Sequence, residues 1–377
     1  MFEKRTGGFM KAIVKTKPTV GAEYLDVPVP DKLAPGWVLI KVKATSICGT
    51  DVHIWNWDPW SQGRIGDKKL PQTLGHECCG EVVDVGPYCN RIKVGDYVSC
   101  ETHIYDPADL TSMLGVLHVG KNMKILGVDT NGCFAEYIAA PEIVLWKNDK
   151  SLAPELACVQ EPLGNACYCT LGEDQDIYGK RVLIVGDGPI ALFAVGVAKA
   201  AGASKIFQIG MADYNLKIGK VMGADVQMNI LKEDANARLQ KVLDETDGFG
   251  VDVSLEMAGA PAAIDDALKM VRKGGRVSAF GVLSQSPAPI DYNNGIVFKG
   301  AQIHGINGRL IFDTWYRNGM MLAAGKLNIK PVITHMFMLD EYEKAFNLLT
   351  ANPRECAKIV LFPDKSELEA AKKRMNI

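Results

Sequence analysis

A chain of 377 residues is long enough for two domains, each with a core of its own. Lys and Arg number 42 against 44 Asp and Glu, a net charge of −2, so charge recruits neither nucleic acid nor an anionic membrane as a partner. With 47% hydrophobic and 23% charged residues, the composition is that of a folded globular protein and excludes a disordered one.

The first ten residues, MFEKRTGGFM, carry Glu3, Lys4 and Arg5 and no apolar run of signal-peptide length. Strands are predicted at Met10–Val14, Val38–Ala44, Glu81–Val85 and Tyr97–Cys100, separated by Pro, Gly and Asp turns without helices of comparable length. This describes a mostly antiparallel β domain of Greek-key or barrel character. From Arg181 the pattern changes. Arg181–Val185 is a short, continuously apolar strand, and a helical stretch follows to about Gly202. Further strands are predicted at Lys205–Ile209, Val226–Asn229, Val251–Met257, Arg276–Gly281 and Ala301–Ile306. Helices fit Asp213–Met222, 231–245 and 261–272. This alternation predicts a doubly wound parallel sheet, the α/β dinucleotide-binding arrangement. Ile190–Ala198, the longest apolar run, is too short to span a bilayer, and no membrane partner is expected. The tail adds helical pattern at Ile311–Ala324 and Leu339–Asn352 and a late strand at Ala357–Leu361. We expect it to rejoin the first domain, which then comprises 1–165 plus 308–377, with the Rossmann domain inserted at 166–307.

The strand at Arg181–Val185 runs into Gly186-Asp-Gly188-Pro189-Ile190-Ala191, and a helix follows. In that context Gly186 permits a tight turn and Gly188 lets backbone approach a pyrophosphate at the helix N-terminus. A bare glycine turn is the alternative, and the alternating units around it speak for a nucleotide. At the end of the next strand, where an acidic residue usually holds the adenosine ribose, the chain reads Gly210-Met211-Ala212-Asp213. Glycine there carries no charge to exclude a 2′-phosphate, yet no arginine replaces it. Asp213 could serve the ribose, or Lys217 and Lys220 a phosphate. The cofactor is NAD or NADP, with a weak preference for NAD expected. Gly281, Val282 and Asn307, at the ends of later strands, complete the expected cofactor contacts.

The first domain carries Ser46-Ile-Cys48-Gly-Thr50-Asp51-Val-His53 and, further on, Gly75-His76-Glu77, while Glu161-Pro162 lies near the predicted boundary. Thiolate, imidazole and carboxylate suit Zn²⁺, and three protein ligands with one open position describe a catalytic zinc. On spacing alone, Cys48 could be a buried core thiol and His76 a turn residue, and composition favours that reading. The ten cysteines are irregularly spaced and no signal peptide precedes them, so a reduced, cytoplasmic protein is expected rather than a disulfide framework.

These segments, with Asn131-Gly-Cys-Phe-Ala-Glu-Tyr137, Leu255-Glu-Met-Ala-Gly-Ala-Pro261, Gly305-Ile-Asn-Gly-Arg309 and Phe312-Asp-Thr-Trp-Tyr316, resemble the zinc-dependent medium-chain dehydrogenase/reductase (alcohol dehydrogenase) family over almost the whole chain. The threonine dehydrogenase branch is the most similar, with sorbitol and polyol dehydrogenases next. The resemblance implies a GroES-like catalytic domain, an NAD(P)-dependent alcohol dehydrogenase and a homo-oligomer, tetramer or dimer. It implies Cys48, His76 and Glu161 as zinc ligands, and Glu77 as a carboxylate that ligates in some members and backs the ligands in others. It implies Thr50 as the hydroxyl that receives the alcohol proton and His53 as the relay that exchanges it with water. His103 matches a pocket histidine tied to substrate choice, though a structural role is as plausible a reading of that residue.

The interval from Glu101 to Gly132 holds no cysteine, so the four-cysteine structural zinc of many relatives is expected to be absent. One catalytic zinc per chain remains, and packing of Met113, Leu114, Val116 and Leu117 is expected to hold that lobe. No ligating role is expected for Cys78 or Cys79. The substrate expected is a small secondary alcohol, L-threonine first and a polyol or its phosphate second. Trp57, with Trp55 and Trp60, would offer an apolar wall, unless these rings are core, and Arg309 would offer a partner for a carboxylate. Zinc-free quinone or enoyl reductases and non-catalytic nucleotide-binding relatives share this architecture, but they typically lack the Cys48, His76 and Glu161 set.

Overall fold

A computed structural model describes residues 8–66, 69–172, 176–283 and 287–376. The chain forms two compact units. The first comprises Met1–Glu161, Ile333–Asn352 and Lys358–Ile377, and the second Pro162–Val332 and Pro353–Ala357. Residues 308–332, expected with the first domain, fall in the second unit, where the short turn Lys330–Val332 packs on the helices Pro189–Ala200 and Asp213–Met222.

The organising element of the first unit is the strand Trp37–Ser46, whose residues Val38, Leu39, Ile40, Val42 and Ala44 are buried. It pairs antiparallel with Glu77–Val85, with Tyr137–Pro141 and with Lys358–Phe362, and the last pairs parallel with Ile333–Met338. Segments more than 300 residues apart in sequence thus share one seven-stranded sheet. Its register sets Ser46 opposite Glu77 on one side and opposite Val360 on the other. The lobe at 101–132 does not pack as expected. Met113 and Leu114 are 73% and 71% exposed and Val116 is exposed too, with Leu117 only half-buried. Hydrogen bonds hold the lobe instead. Asp109 accepts from the Asn122 backbone N–H at 2.8 Å and from its side-chain amide at 2.7 Å.

The second unit is the doubly wound sheet. Its six strands are Arg181–Val185, Lys205–Gly210, Val226–Asn229, Val251–Glu256, Val271–Ala279 and Gln302–Gly305. Numbered within the sheet they run 3-2-1-4-5-6, and every pairing is parallel. Burial on both faces explains the uninterrupted apolar run Val182–Val185 within the first of these strands. Parallel strands bring all their C-terminal ends to one edge, which is where such sheets bind ligands. Among the described residues, no helix is long and apolar enough to cross a membrane.

Candidate metal centre and cofactor site

Cys48 ends the turn after Trp37–Ser46 and caps the helix Gly49–Asn56. The cap is reciprocal, because the Asp51 carboxylate accepts from the Cys48 backbone N–H at 2.8 Å. This fixes Asp51 inside the fold, fully buried, with its second oxygen 3.5 Å from Nδ1 of His76. Cys48 Sγ, a His76 ring nitrogen and a Glu77 carboxylate oxygen lie within 4.8 Å of one another. Burial opposes protonation of His76, but Asp51 and Cys48 outweigh it and push its pKa well above the ordinary value. A pocket that attracts a proton this strongly has a negative potential, and a divalent cation is drawn to the same potential. Sulfur, nitrogen and carboxylate donors, with Asp51 behind the histidine, fit Zn²⁺ in both ligand type and supporting carboxylate.

Glu77 is not a bare carboxylate. Lys358 Nζ meets its Oε1 at 2.7 Å and its Oε2 at 2.5 Å, and donates to the Ile47 carbonyl at 2.9 Å. The Ser46 hydroxyl donates to Oε2 as well. Burial alone would lower the Lys358 pKa, but Glu77, Cys48 and Glu161 reverse this and raise it. The strand register produces the cluster, since Glu77 lies opposite Ser46 and Lys358 enters from the strand on the other side.

Glu161 is buried at the start of the helix Gln160–Leu171, and its charge acts on Lys358. It is not in the Cys48, His76 and Glu77 group. Thr50 and His53 sit three residues apart on the helix Gly49–Asn56, which places them on one face. Thr50 is half-buried, whereas the His53 side chain is 56% exposed and bonds Asp58 at 2.5 Å.

The residues expected around substrate are placed differently from one another. His103 is buried in the short strand His103–Ile104, with Nδ1 3.8 Å from Glu101. Trp57 is 8% exposed and packs under the Lys15 ammonium, while Trp55 stacks on Phe346 at 4.4 Å. Both rings are packing residues. Trp60 is exposed and lies against His53. Arg309 is 1% exposed and donates to the Asn165 side chain at 2.8 Å, so part of its guanidinium is engaged inside the second unit.

The expected cofactor residues gather along the C-terminal edge of the parallel sheet. Gly186 has φ +147° and Gly188 caps the helix Pro189–Ala200, with Pro189 and Ile190 in its first turn. Gly210 ends the second strand and Met211 and Asp213 follow it; Gly281 and Val282 follow the fifth, and Asn307 the sixth. Asp213 is held by Asn229 and Lys232, each at 2.7 Å. Gly281 must be glycine, because a Cβ there would come within 2.2 Å of the Gly259 backbone nitrogen.

Reasoning from sequence missed Asp51, Ser46 and Lys358. The Cys48-x-x-Asp51 capping pattern was a usable signal for the first. The other two depend on strand pairing that no local pattern reveals.

Comparison with known proteins agrees with this geometry. Residues 34–150 match the alcohol dehydrogenase GroES-like domain, and 189–324 match the zinc-binding dehydrogenase domain. L-threonine 3-dehydrogenase of Pyrococcus horikoshii is 49% identical over 91% of this chain and 96% of its own. That of Bacillus velezensis is 45% identical over 95% and 100%. Among solved structures, 2R,3R-butanediol dehydrogenase from Bacillus subtilis superposes with a TM-score of 0.83 at 27% identity, covering 94% of this chain and all of that one. An alcohol dehydrogenase from Thermotoga maritima gives 0.84 at 26%, with the same coverage. The chain therefore belongs to the zinc-binding alcohol dehydrogenase family and is an NAD(P)-dependent alcohol oxidoreductase.

Proposed function

We propose that the protein oxidises the secondary alcohol of L-threonine, with Cys48, His76 and one of Glu161 and Glu77 holding a single zinc. The observation that carries this reading is the Cys48, His76 and Glu77 cluster in a chain 49% identical to an L-threonine 3-dehydrogenase. Bound there, zinc supplies Lewis acidity that lowers the pKa of an alcohol hydroxyl, and NAD(P)⁺ supplies the hydride acceptor.

The protein's own residues prepare the reaction. Asp51 orients His76 and keeps its ligating nitrogen turned toward Cys48. Lys358 offsets the charge of Glu77, so the donors do not carry an uncompensated excess of negative charge. The Thr50 hydroxyl takes the alcohol proton as it hands its own onward to the relay that ends at His53. His53, on the same helix face and exposed, passes a proton to water, with Asp58 holding its ring through Nδ1. The Gly186–Ile190 turn and Gly210, Met211, Asp213, Gly281, Val282 and Asn307 bind the dinucleotide. His103 contributes to substrate choice.

The absence of cysteine from 101–132 supports one zinc per chain. The outer side of Gln302–Gly305, an edge strand carrying exposed Ile303 with exposed Val297 and Phe298 nearby, supports a homo-oligomer, since such edges pair with one another. Ten free cysteines suit a reducing cytoplasm. The test is L-threonine-dependent reduction of NAD⁺ by zinc-loaded enzyme, with NADP⁺ and a polyol series in parallel. Turnover of a polyol without turnover of threonine would reject the threonine assignment.

A further inference from the structure

Dinucleotide-binding sheets discriminate against a 2′-phosphate with a carboxylate at the end of the second strand. Here that position is Gly210, and the structure shows why it has no side chain. A Cβ on Gly210 would come within 2.7 Å of the Asp187 Cβ and 2.9 Å of its Oδ2. The space is filled by a carboxylate that arrives from the other loop, the Gly186-Asp187-Gly188 turn after the first strand.

Asp187 is fixed there. Its Oδ2 accepts from the backbone N–H groups of Met211 at 2.8 Å and Ala212 at 2.7 Å. Those groups open the turn into the helix Asp213–Met222. Oδ1 receives no donor among the described residues. The side chain is half-buried, so this oxygen remains available to a ligand at the strand ends. Of the lysines that could answer a phosphate, Lys217 is exposed, while two others are committed. Lys232 is bonded to Asp213 at 2.7 Å and Lys220 to the Asp225 carbonyl at 3.2 Å.

We propose that Asp187 is the cofactor-selecting residue of this enzyme, supplying from the glycine turn the carboxylate that accepts from the adenosine ribose hydroxyl and repels a 2′-phosphate. The protein is therefore selective for NAD, not the weak discriminator that Gly210 alone suggests. This rests on the dinucleotide-binding reading of the second unit. Asp213 is not the selector, because its two oxygens serve Asn229 and Lys232.

The test is direct titration of the zinc-loaded, full-length protein with NADH and with NADPH, read by energy transfer from tryptophan to the reduced nicotinamide. The wild type is expected to bind NADH at least about tenfold more tightly than NADPH. Asp187→Asn keeps an oxygen that can accept from Met211 and Ala212 but removes the charge. It should tighten NADPH binding by about tenfold while weakening NADH only a few-fold. D187G/G210D moves the carboxylate to the strand end, removing the Asp187 Cβ that would clash and leaving only the flexible end of Leu216, 2.9 Å from the new Cβ, to shift; it should restore the preference for NADH. Wild-type protein that binds both dinucleotides equally would overturn the proposal. So would a D187N variant, folded by circular dichroism, whose ratio of affinities is unchanged. Failure of the wild type to bind either dinucleotide would instead reject the nucleotide site itself, and this proposal with it.

Discussion

Replacing Lys358 by methionine tests how the metal centre balances its charge. Lys358 is 2% exposed and Glu77 fully buried, and the ammonium makes three contacts, two with Glu77 and one with the Ile47 carbonyl. Methionine fills a similar volume without a charge or a donor, leaving Glu77 with the Ser46 hydroxyl. Removing one member of a buried ion pair costs about 3–5 kcal/mol. The surviving Ser46 bond places the loss at the lower end, about 3 kcal/mol, or a fall of about 150-fold in the folding constant. Glu77→Gln should cost about 2 kcal/mol, because Lys358 keeps the Ile47 carbonyl and an amide oxygen. In the double variant neither charge is stranded, and the cycle should return a coupling of about 2 kcal/mol. Urea unfolding followed by tryptophan fluorescence is the assay. Five of the six tryptophans (37, 55, 57, 60 and 146) lie in the first unit, so the signal reports the right domain. Run in chelator, the measurement isolates the protein's own balance. Run with zinc, it should show a larger gain for K358M than for wild type, since a bound cation replaces the missing counter-charge. A coupling below about 0.5 kcal/mol, or equal zinc gains in both proteins, would refute the argument.

Four shorter tests address other parts of the molecule. Cys48→Ser should lose most of its bound zinc and activity, while His53→Ala should slow turnover by a smaller factor that added imidazole or buffer base restores. Of the ten cysteines only Cys48 and Cys89 are not buried, and burial pushes Cys79 and Cys167 each up to about 12. A thiol reagent should therefore modify at most two groups in native protein, and one when zinc is present; fast reaction of three or more would contradict the packing. Burial raises the Glu142 carboxyl, but the backbone N–H groups of Asn90, Ile92 and Arg91 outweigh it and hold its pKa below the usual value. Its contribution is thus present above the unfolded pKa of about 4.5 and lost as pH falls through the lower folded value, so the stability gap between wild type and Glu142→Gln, about 1 kcal/mol at neutral pH, should close on acidification. Arg374 makes a two-armed contact with the fully buried Glu155 at 2.9 and 2.8 Å, and Arg374→Ala should cost about 2 kcal/mol, discounted for its exposed side, as read by thermal unfolding.

The parallel sheet was legible because its signals are local. Arg181–Val185 reads as a buried strand by itself, and the glycine turn after it announces a ligand edge. The helix Gln160–Leu171 was not legible, because its run of Gly, Asn, Ala and Cys is too uniform in polarity to show a helical period. The helix Lys365–Met375 was missed for the opposite reason: its few apolar residues are scattered among charges, and the Asp364 cap, which accepts from Ser366 and Glu367, was the one available marker. The lobe at 101–132 shows the limit of composition. Its apolar residues suggest packing, yet they face outward and the Asp109–Asn122 hydrogen bonds do the holding.

The metal centre divides in the same way. Its ligands could be named only because their motifs resemble a known family, and the groups that set its charge could not be named at all. Lys358 is 281 residues from Glu77 and meets it only because Lys358–Phe362 and Glu77–Val85 flank the same central strand. Shifting either strand by one residue would turn its side chains to the opposite face and strand the Glu77 carboxylate in the interior. The pairing of the sheet and the electrostatics of the site are therefore one constraint, and disrupting the register of Lys358–Phe362 should, like Lys358→Met, destabilise the zinc-free protein more than the zinc-loaded one even though no proposed ligand lies in that strand.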